Sequence, residues 1–149
     1  MKGEKVVAYH FFKYKKTHPE AKVNPPKLKG DVGYDISSIE NKLIWPLFPQ
    51  KVKTGVILEI PPNHYCTIET RSGYGVKNNL RCHRGIIDNG FRGEVGIKIY
   101  NHGLFPYKIK KGEKIAQIVL QESIVFPLEE VKEVSQTERG DRGFGSTGK

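Results

Sequence analysis

Short runs in which apolar and polar residues alternate recur along the chain, and turn-forming residues separate them. In the run at residues 51–61, every second position is apolar or a threonine, and these positions share one face: Val52, Thr54, Val56, Leu58 and Ile60. The run at residues 93–101 repeats the pattern with Val95, Ile97 and Ile99. Because side chains on a strand point alternately to opposite faces, each run predicts a β-strand with one buried face.

Four further runs are predicted to be strands: VVAYHFF at 6–12, YCTIET at 65–70, KIAQIVLQ at 114–121 and SIVFPL at 123–128. The run at 114–121 carries apolar residues on both faces, which indicates burial on both sides. No convincing helical period extends beyond two turns. Short strands separated by turns at intervals of roughly ten residues predict an all-β domain, either a sandwich or a barrel.

The chain has 149 residues, a length that suits one compact domain with its own core. From Gln136 onward the sequence is polar and rich in glycine. We therefore expect a body at residues 1–135 and an arm at 136–149 that is mobile when no ligand occupies it. No run of 18 apolar residues occurs and the N-terminus does not resemble a signal peptide, so we expect no contact with a membrane.

The two cysteines, Cys66 and Cys82, belong to no CxxC pair, and we expect free thiols in a reducing compartment. That compartment is the cytoplasm, or the nucleus or host-cell cytoplasm for a eukaryotic or viral protein. Together with His64 and His83 these cysteines fit no standard zinc spacing. A G-x-S-x-G nucleophile motif is also missing from the sequence, which argues against a serine hydrolase.

The formal net charge is +9, from 25 Lys and Arg against 16 Asp and Glu, and such a field attracts polyanions. Nucleic acid and a nucleoside triphosphate are both candidates. The lysines are scattered without a long basic block, and aromatic residues such as Tyr9, Phe11 and Phe12 lie in a predicted core strand. A basic nucleic-acid-binding barrel would instead present aromatic residues on strand faces, so we expect no direct binding of nucleic acid.

Four glycine-containing stretches of the body join charged or hydroxyl residues to turns. In GDVGYDIS, Asp35 either caps a turn or acts as a functional acid. In ETRSGYG, the residues Arg71, Ser72 and Gly73 form either an ordinary turn or a cluster of donors for an anion. In RGIIDNGFRGEV, Asp88 lies on a tight turn and could act as a general base if a substrate reached it.

Two uncharged residues in these stretches also have both a structural and a functional interpretation. Phe91 is either a core aromatic or a platform for a sugar or a base. In the fourth stretch, KKGEKIAQIV, Gln117 lies in the strand predicted to be buried on both faces, so its amide needs hydrogen-bond partners, which are either backbone groups or a ligand.

The arm, ERGDRGFGSTGK, is the fifth stretch. Its glycine backbone and its hydroxyls, on Ser146 and Thr147, can wrap phosphate oxygens. A single Phe144 in a polar tail has no core to join, and stacking on a base would give it a role.

Taken together and in order, these five stretches resemble the motifs of the trimeric dUTPase family. VGYDI resembles the first motif, A-G-Y/F-D-L, and RSGYG the second, R-S-G-L-A. GIIDNGFRGEV resembles G-V-I-D-x-x-Y-R-G-E, GEKIAQI resembles G-D/E-R-I-A-Q-L, and RGDRGFGSTGK resembles R-G-x-G-G-F-G-S-T-G. Each motif alone is weak, but five in order make a specific match.

The resemblance implies a jelly-roll-like β-barrel that forms a homotrimer, with each active site built from three chains. It implies hydrolysis of dUTP to dUMP and pyrophosphate with Mg2+ on the triphosphate, which limits uracil in DNA and supplies dUMP for dTMP synthesis. Asp88 matches the acid that deprotonates the water attacking the α-phosphorus. Asp35 matches an acid that supports the metal through water.

The remaining matches are substrate contacts. Phosphate contacts fall on the second motif, the fourth motif and the arm: Arg71, Ser72, Gly73, Gln117, Arg139, Gly145, Ser146 and Thr147. The pyrimidine ring is read by the backbone of Cys82, His83, Arg84 and Gly85. Phe91 stacks on the deoxyribose and Phe144 covers the uracil.

Three residues depart from the family pattern: Phe91 replaces Tyr, Tyr74 replaces an aliphatic residue, and Arg142 replaces Gly. We expect them to tune affinity. A related dCTP deaminase is less consistent with the sequence, because Lys98 stands where that branch carries its catalytic Glu. A non-catalytic nucleotide-sensing relative is the other alternative, and the presence of Asp88 argues against it.

Overall fold

The computed structural model describes residues 11–142. Within them lie twelve strands and one helix, in the order β1 (Lys13–Lys16), β2 (Val23–Asn24), β3 (Gly33–Ser37), β4 (Lys42–Ile44), β5 (Gln50–Val52), β6 (Val56–Glu59), β7 (His64–Glu69), α1 (Ser72–Asn78), β8 (Leu80–Cys82), β9 (Ile86–Ile87), β10 (Ile97–Asn101), β11 (Tyr107–Ile109) and β12 (Lys114–Glu122). The predicted all-β class is confirmed.

The strands pair into four antiparallel sheets. The largest has the order β2-β3-β12-β7-β9, and a second has the order β5-β10-β8. Two strand pairs, β1-β6 and β11-β4, complete the body. The described residues thus form separate packed sheets and not one continuous closed barrel, an arrangement that fits the jelly-roll expectation.

Branched aliphatic side chains fill the space between the sheets, as their preference for pleated, half-buried surfaces favours. Among the fully buried residues are Ile36, Ile44, Val52, Val56, Leu58, Ile97, Ile99, Ile109, Ile115 and Ile118. The buried face predicted for residues 93–101 is confirmed. The prediction that β12 is buried on both faces is confirmed only in part: Ala116 and Ile118 on one face have no exposed surface, whereas Gln117 and Val119 on the other face are half-buried. Ile115 is also fully buried, but it lies at a register shift in the pairing with β3, where the alternation of faces is interrupted.

The run at 51–61 was predicted as one strand, and that prediction is wrong. β5 ends at Val52 and β6 begins at Val56, because Gly55 between them adopts a left-handed φ of +65°. Thr54 is nevertheless fully buried, and its hydroxyl donates a hydrogen bond to the Val95 carbonyl. The alternation therefore identified the correct buried face but missed the turn.

The predicted strand at 123–128 is absent. Ile124, Val125, Phe126 and Leu128 are 78%, 86%, 80% and 102% exposed, so this apolar segment packs on nothing within the described chain. Of the predicted strand at 6–12, only Phe11 and Phe12 lie in the described residues; they precede β1, and Phe12 packs edge-on against Tyr34 at 5.1 Å between ring centroids.

The single described helix, α1, spans seven residues and ends where Asn79 takes a left-handed conformation and donates its N–H to the Tyr74 carbonyl. No helix between residues 11 and 142 is long and apolar enough to cross a membrane. Cys66 and Cys82 are both free and buried.

Candidate active site

Asp35 is the centre of a cluster of charges on the large sheet. It lies on β3, and its carboxylate accepts a hydrogen bond from Arg71 Nε at 2.8 Å and another from Lys114 Nζ at 2.8 Å, each on its own oxygen. All three side chains are partly buried, so these ion pairs are less screened than surface pairs. The structure thus unites Asp35 with Arg71 from the second stretch, and it adds Lys114.

Arg71 immediately precedes α1, and its guanidinium is held at two points. Besides the bond to Asp35, Nη1 donates to the Lys114 carbonyl at 3.1 Å. Within residues 11–142 no acceptor meets Nη2, which leaves that end of the planar fork for an anion. Ser72 and Gly73 follow in the exposed first turn, and a Cβ at Gly73 would meet no atom within 4 Å.

Gln117 joins this cluster from the neighbouring strand. On β12 it stands directly opposite Asp35 on β3 and Glu69 on β7. Its side chain lies against Gly33. It also lines a cavity of ≈ 620 Å³, whose wall includes Lys27 and Asp35. Among the described residues its amide has no backbone partner, so the purely structural reading of this Gln has no support.

Asp88 lies on a different part of the chain's surface. It follows β9 and begins a turn that closes through the Phe91 N–H to the Asp88 carbonyl at 3.1 Å. The amide of Asn89 fixes this turn by donating to the Ile60 and Pro61 carbonyls at 2.6 and 2.8 Å. The Asp88 carboxylate is exposed on this rigid turn. A substrate and its attacking water can therefore approach it, as a general base requires.

Phe91 is 47% exposed, so it is not a core aromatic. Its ring covers Gly93, where a Cβ would come within 2.4 Å of the ring. With Asp88 and Gly96 it lines a second cavity of ≈ 260 Å³. An exposed ring beside the acid can act as a platform for a ligand.

The predicted base-reading segment connects β8 to β9, and several of its groups are already used inside the chain. The Cys82 N–H donates to Thr70 Oγ1 at 2.9 Å, and the His83 N–H to the Lys98 carbonyl at 2.7 Å. The Gly85 carbonyl accepts from the Ile68 N–H at 3.0 Å. Inside the described part of the chain, the N–H groups of Arg84 and Gly85 form no backbone bond, so they are the donors left for a ligand.

The two groups of residues are far apart in one chain. Three strand spacings separate β3, which carries Asp35, from β9, which leads to Asp88; that is about 14 Å across the sheet. The register adds about 10 Å along the strands, because Gln117 pairs with Glu69 whereas Ile87 pairs with Cys66. The two cavities share no lining residue. One chain therefore presents two separate groups of predicted site residues.

The described part of the arm forms a compact exposed turn. Arg139 Nε donates to the Arg142 carbonyl at 3.0 Å, and Arg142 Nε donates to the Arg139 carbonyl at 3.1 Å. Arg142, which departs from the family pattern, thus closes this turn together with Arg139. The predicted contacts Phe144, Gly145, Ser146 and Thr147 lie outside the described residues.

Sequence reasoning missed Lys114 and Glu69. Lys114 bonds Asp35 across 79 positions of sequence, and Glu69 pairs with Arg84 Nε at 2.8 Å. The position of Lys114 inside the fourth stretch, three residues before Gln117, was the available signal for it. Glu69 stands first in the second stretch, ETRSGYG, two residues before Arg71, and that position was the corresponding signal for it.

Comparisons with known proteins give one consistent result. The profile of the dUTPase family matches residues 19–148. The deoxyuridine 5'-triphosphate nucleotidohydrolase of Clostridium tetani is 40% identical over 139 residues, which cover 92% of this chain and 96% of that protein. The Mus musculus protein of the same name is 42% identical over 118 residues, 78% of this chain and 72% of the relative.

Solved structures agree. The Staphylococcus bacteriophage 80alpha dUTPase with dUPNHPP superposes with a TM-score of 0.88 at 31% identity and covers 94% of this chain and 99% of its own. A variant dUTPase of phage phi11 of S. aureus, described with a structural Mg(II) ion, gives a TM-score of 0.79 at 26% identity and covers 83% of this chain and 98% of its own.

Proposed function

The chain belongs to the dUTPase family, and we propose that it hydrolyses dUTP to dUMP and pyrophosphate at sites shared between the chains of a homotrimer. The observation that carries this proposal is the division of the residues into two half-sites. One half, around Asp35, Arg71 and Gln117, is suited to phosphates. The other, around Asp88 and Phe91, is suited to a nucleoside and a water molecule.

A single substrate must contact both halves, and the distance within one chain prevents it. The attacking water must lie next to the α-phosphorus, and the base that activates it must lie within hydrogen-bond reach of that water. Asp88 lies about 14 Å across the sheet and about 10 Å along it from the strands that carry the phosphate cluster. A cyclic trimer brings the phosphate half of one chain against the Asp88 half of the next. The exposed apolar segment at 123–128 is a further surface that a neighbouring chain would cover.

In the proposed reaction, the Asp88 carboxylate accepts a proton from a water molecule. The water oxygen forms a bond to the α-phosphorus in line with the oxygen that bridges to the β-phosphorus. The bond between the α-phosphorus and that bridging oxygen breaks, and pyrophosphate leaves with the electron pair of the broken bond. The rigid turn anchored by Asn89 keeps the carboxylate in one place, which is the main contribution of positioning to such a step.

The phosphates are proposed to bind to Arg71, Ser72, Gly73 and Gln117, with Arg139, Gly145, Ser146 and Thr147 contributed by the arm. Arg71 already has two of its groups bonded to the protein, so its remaining N–H groups are presented in a fixed direction. Little side-chain entropy is then lost on binding. The surplus positive charge of the chain adds a long-range attraction for the triphosphate.

We propose that Mg2+ arrives at this site with the triphosphate. Residues 11–142 hold no group of three or more His, Cys, Asp or Glu that could hold a metal. Each oxygen of the Asp35 carboxylate accepts one hydrogen bond, one from Arg71 and the other from Lys114. Each oxygen keeps a lone pair that can accept a hydrogen bond from a water molecule bound to Mg2+. When bound, Mg2+ would neutralise phosphate charge and fix the shape of the triphosphate.

The nucleoside is proposed to contact the Cys82–Gly85 segment through its free backbone groups. A uracil edge can match the N–H groups of Arg84 and Gly85, whereas the cytosine amino group would oppose a donor with a donor. Phe91 would stack on the deoxyribose, and Phe144 would cover the base. The buried free thiols suit a reducing compartment, and we propose the cytoplasm, or the nucleus or host-cell cytoplasm, as the place of action.

A pyrophosphate-release assay tests the proposal. Purified protein is given dUTP, dCTP, dTTP or UTP, each with and without Mg2+. We expect release from dUTP with Mg2+ and at most a few per cent of that rate from the other three. Absence of release from dUTP would contradict the proposed activity.

A further inference from the structure

Two tyrosine hydroxyls converge on one carboxylate beside the phosphate half-site. The Tyr74 hydroxyl on α1 donates to Glu113 Oε1, and the Tyr107 hydroxyl donates to the same oxygen at 2.8 Å. The other oxygen, Oε2, accepts from the Lys110 N–H at 2.8 Å. Glu113 is therefore a triply bonded acceptor in the turn that precedes β12.

Tyr74 is the buried residue of α1, with 5% of its surface exposed. Burial first, and then the hydrogen bond to Glu113, raise the pKa of its hydroxyl well above the usual range. The hydroxyl is thus protonated at neutral pH and can donate its hydrogen to Glu113. Its bond to an ionised acceptor is of the stronger, charge-assisted kind.

Lys114, the residue after Glu113, contacts Arg71 at the start of α1. The Lys114 carbonyl accepts from Arg71 Nη1 at 3.1 Å, and Lys114 Nζ bonds Asp35. Glu113 and Lys114 together therefore hold Tyr74 and Arg71, three residues apart on the first turn of α1. The Glu113 carbonyl is itself fixed by the Ser38 N–H at 2.9 Å.

A helix this short needs such contacts. Seven residues lie below the length at which an isolated helix is stable in water. No acidic residue lies in its first turn, and Arg71 at the N-cap makes no side-chain capping bond. The position of the turn is consequently set by tertiary contacts, and Tyr74 supplies the buried one.

We propose that Tyr74 is a positioning residue, which through Glu113 holds the first turn of α1 against β12 and so sets Arg71, Ser72 and Gly73 for phosphate before substrate binds. The inference rests on the proposed function, because it concerns the phosphate half of that site. It explains a residue that departs from the family pattern. An aliphatic side chain there would fill the same space without the hydrogen bond to Glu113.

The test compares Tyr74→Phe with Tyr65→Phe. Both changes keep an aromatic ring and remove one hydroxyl. Tyr65 donates to Gln121 Oε1 at 2.5 Å, which is on β12 but away from α1, so it is a matched control. Three quantities are measured: calorimetric affinity for inorganic pyrophosphate, KM and kcat for dUTP, and hydrogen exchange of the α1 backbone amides.

For Tyr74→Phe we expect about tenfold weaker binding of pyrophosphate, a similar rise in KM, and a kcat within about threefold of wild type. Exchange of the α1 amides should rise, whereas Tyr65→Phe should change all of these by less than about twofold. Wild-type affinity and exchange in Tyr74→Phe would overturn the inference.

Failure of the proposed function is distinguishable from failure of this inference. A wild-type protein that neither hydrolyses dUTP nor binds pyrophosphate contradicts the function. In that case, faster α1 exchange in Tyr74→Phe but not in Tyr65→Phe supports the positioning role, and equal exchange in the two variants overturns it.

Discussion

The side chain of Gln117 on β12 occupies the space that a Cβ on Gly33 of β3 would fill. An ideal Cβ at Gly33 lies 2.4 Å from Gln117 Oε1, which is closer than real Cβ contacts allow. The two strands are adjacent, with Gly33 facing Val119 and Gln117 facing Asp35. Gly33, within the first motif, therefore keeps open the position that the fourth motif needs.

Gly33→Ala should accordingly lower activity with little loss of stability. The atom displaced is the end of a flexible side chain, so Gln117 can swing away at a cost of about 1 kcal/mol. We expect kcat/KM for dUTP to fall about tenfold or more, and the melting temperature to fall by only a few degrees. Steady-state kinetics and calorimetry measure the two effects.

The double variant provides the control. If Gly33→Ala acts by displacing Gln117, then adding Gln117→Ala should cost little more, because two changes that remove one interaction are not additive. Additive losses would show that Gly33 acts by another route. Gly90→Ala, where a Cβ would meet no atom within 4 Å, controls for the general effect of replacing a glycine on stability.

Asp88→Asn should keep nucleotide binding and lose most turnover. The substitution keeps the shape of the side chain on its anchored turn but removes the proton acceptor. Loss of a general base costs on the order of 10² to 10⁴ in rate. The dissociation constant of a non-hydrolysable dUTP analogue, measured by calorimetry, should stay within about threefold of wild type. Unchanged turnover would remove Asp88 as the base.

Sequence patterns predicted the composition of the core better than its boundaries. The period of two placed Val52, Val56 and Leu58 on one buried face, but it ran unbroken through the turn at Gly55, because Thr54 is buried there as a strand residue would be. At 123–128 the apolar pattern predicted a strand, yet a period does not say which surface covers it. Among residues 11–142 of one chain, none covers it.

The site shows a similar division. The order of the motifs predicted Asp35, Arg71 and Gln117 as site residues, and the structure brings these three together. Lys114 and Tyr74 were missed as parts of that cluster, because their roles arise from contacts with Asp35 and Glu113, 79 and 39 positions away. Such contacts follow from strand register, which local pattern does not specify.

Both thiols should resist alkylation in the folded protein. Burial raises the pKa of Cys66 from its usual value of 9.0 to about 12 and that of Cys82 to about 11. The reactive thiolate is therefore scarce at neutral pH, and the sulfurs are also inaccessible. Iodoacetamide labelling followed by mass spectrometry should show slow modification of the native protein and rapid modification in denaturant.

The same shifts predict how stability changes with alkaline pH. Above about pH 9 the unfolded chain releases thiol protons that the folded chain keeps, so unfolding becomes more favourable as pH rises from 9 towards 11. Denaturant melts at pH 8 and pH 10 measure this change. Rapid native labelling at pH 7 would show that the thiols are accessible and would contradict both expectations.

Deleting residues 139–149 should leave a folded protein with poor catalysis. The described residues of this segment, 139–142, are exposed and bond only within their own turn, from Thr137 to Arg142, so their removal breaks no described contact with the body. Circular dichroism and the melting temperature should stay near wild type. The rate on dUTP should fall by at least about 100-fold, because the proposed clamp on the γ-phosphate is lost. A deletion variant that fails to fold would show that the segment is structural.

Mixing two inactive variants tests whether the active site is shared between chains. Arg71→Ala removes the phosphate half of each chain and leaves the Asp88 half intact, whereas Asp88→Asn does the reverse. In a trimer formed from equal amounts of both, about one quarter of the sites would combine an intact Arg71 with an intact Asp88 from its neighbour. We expect the mixture to recover about that fraction of wild-type activity once native mass spectrometry shows mixed trimers. If mixed trimers form without recovery, both halves belong to one chain, and the separation of about 14 Å across the sheet would have to close by a rearrangement of β9 relative to β3.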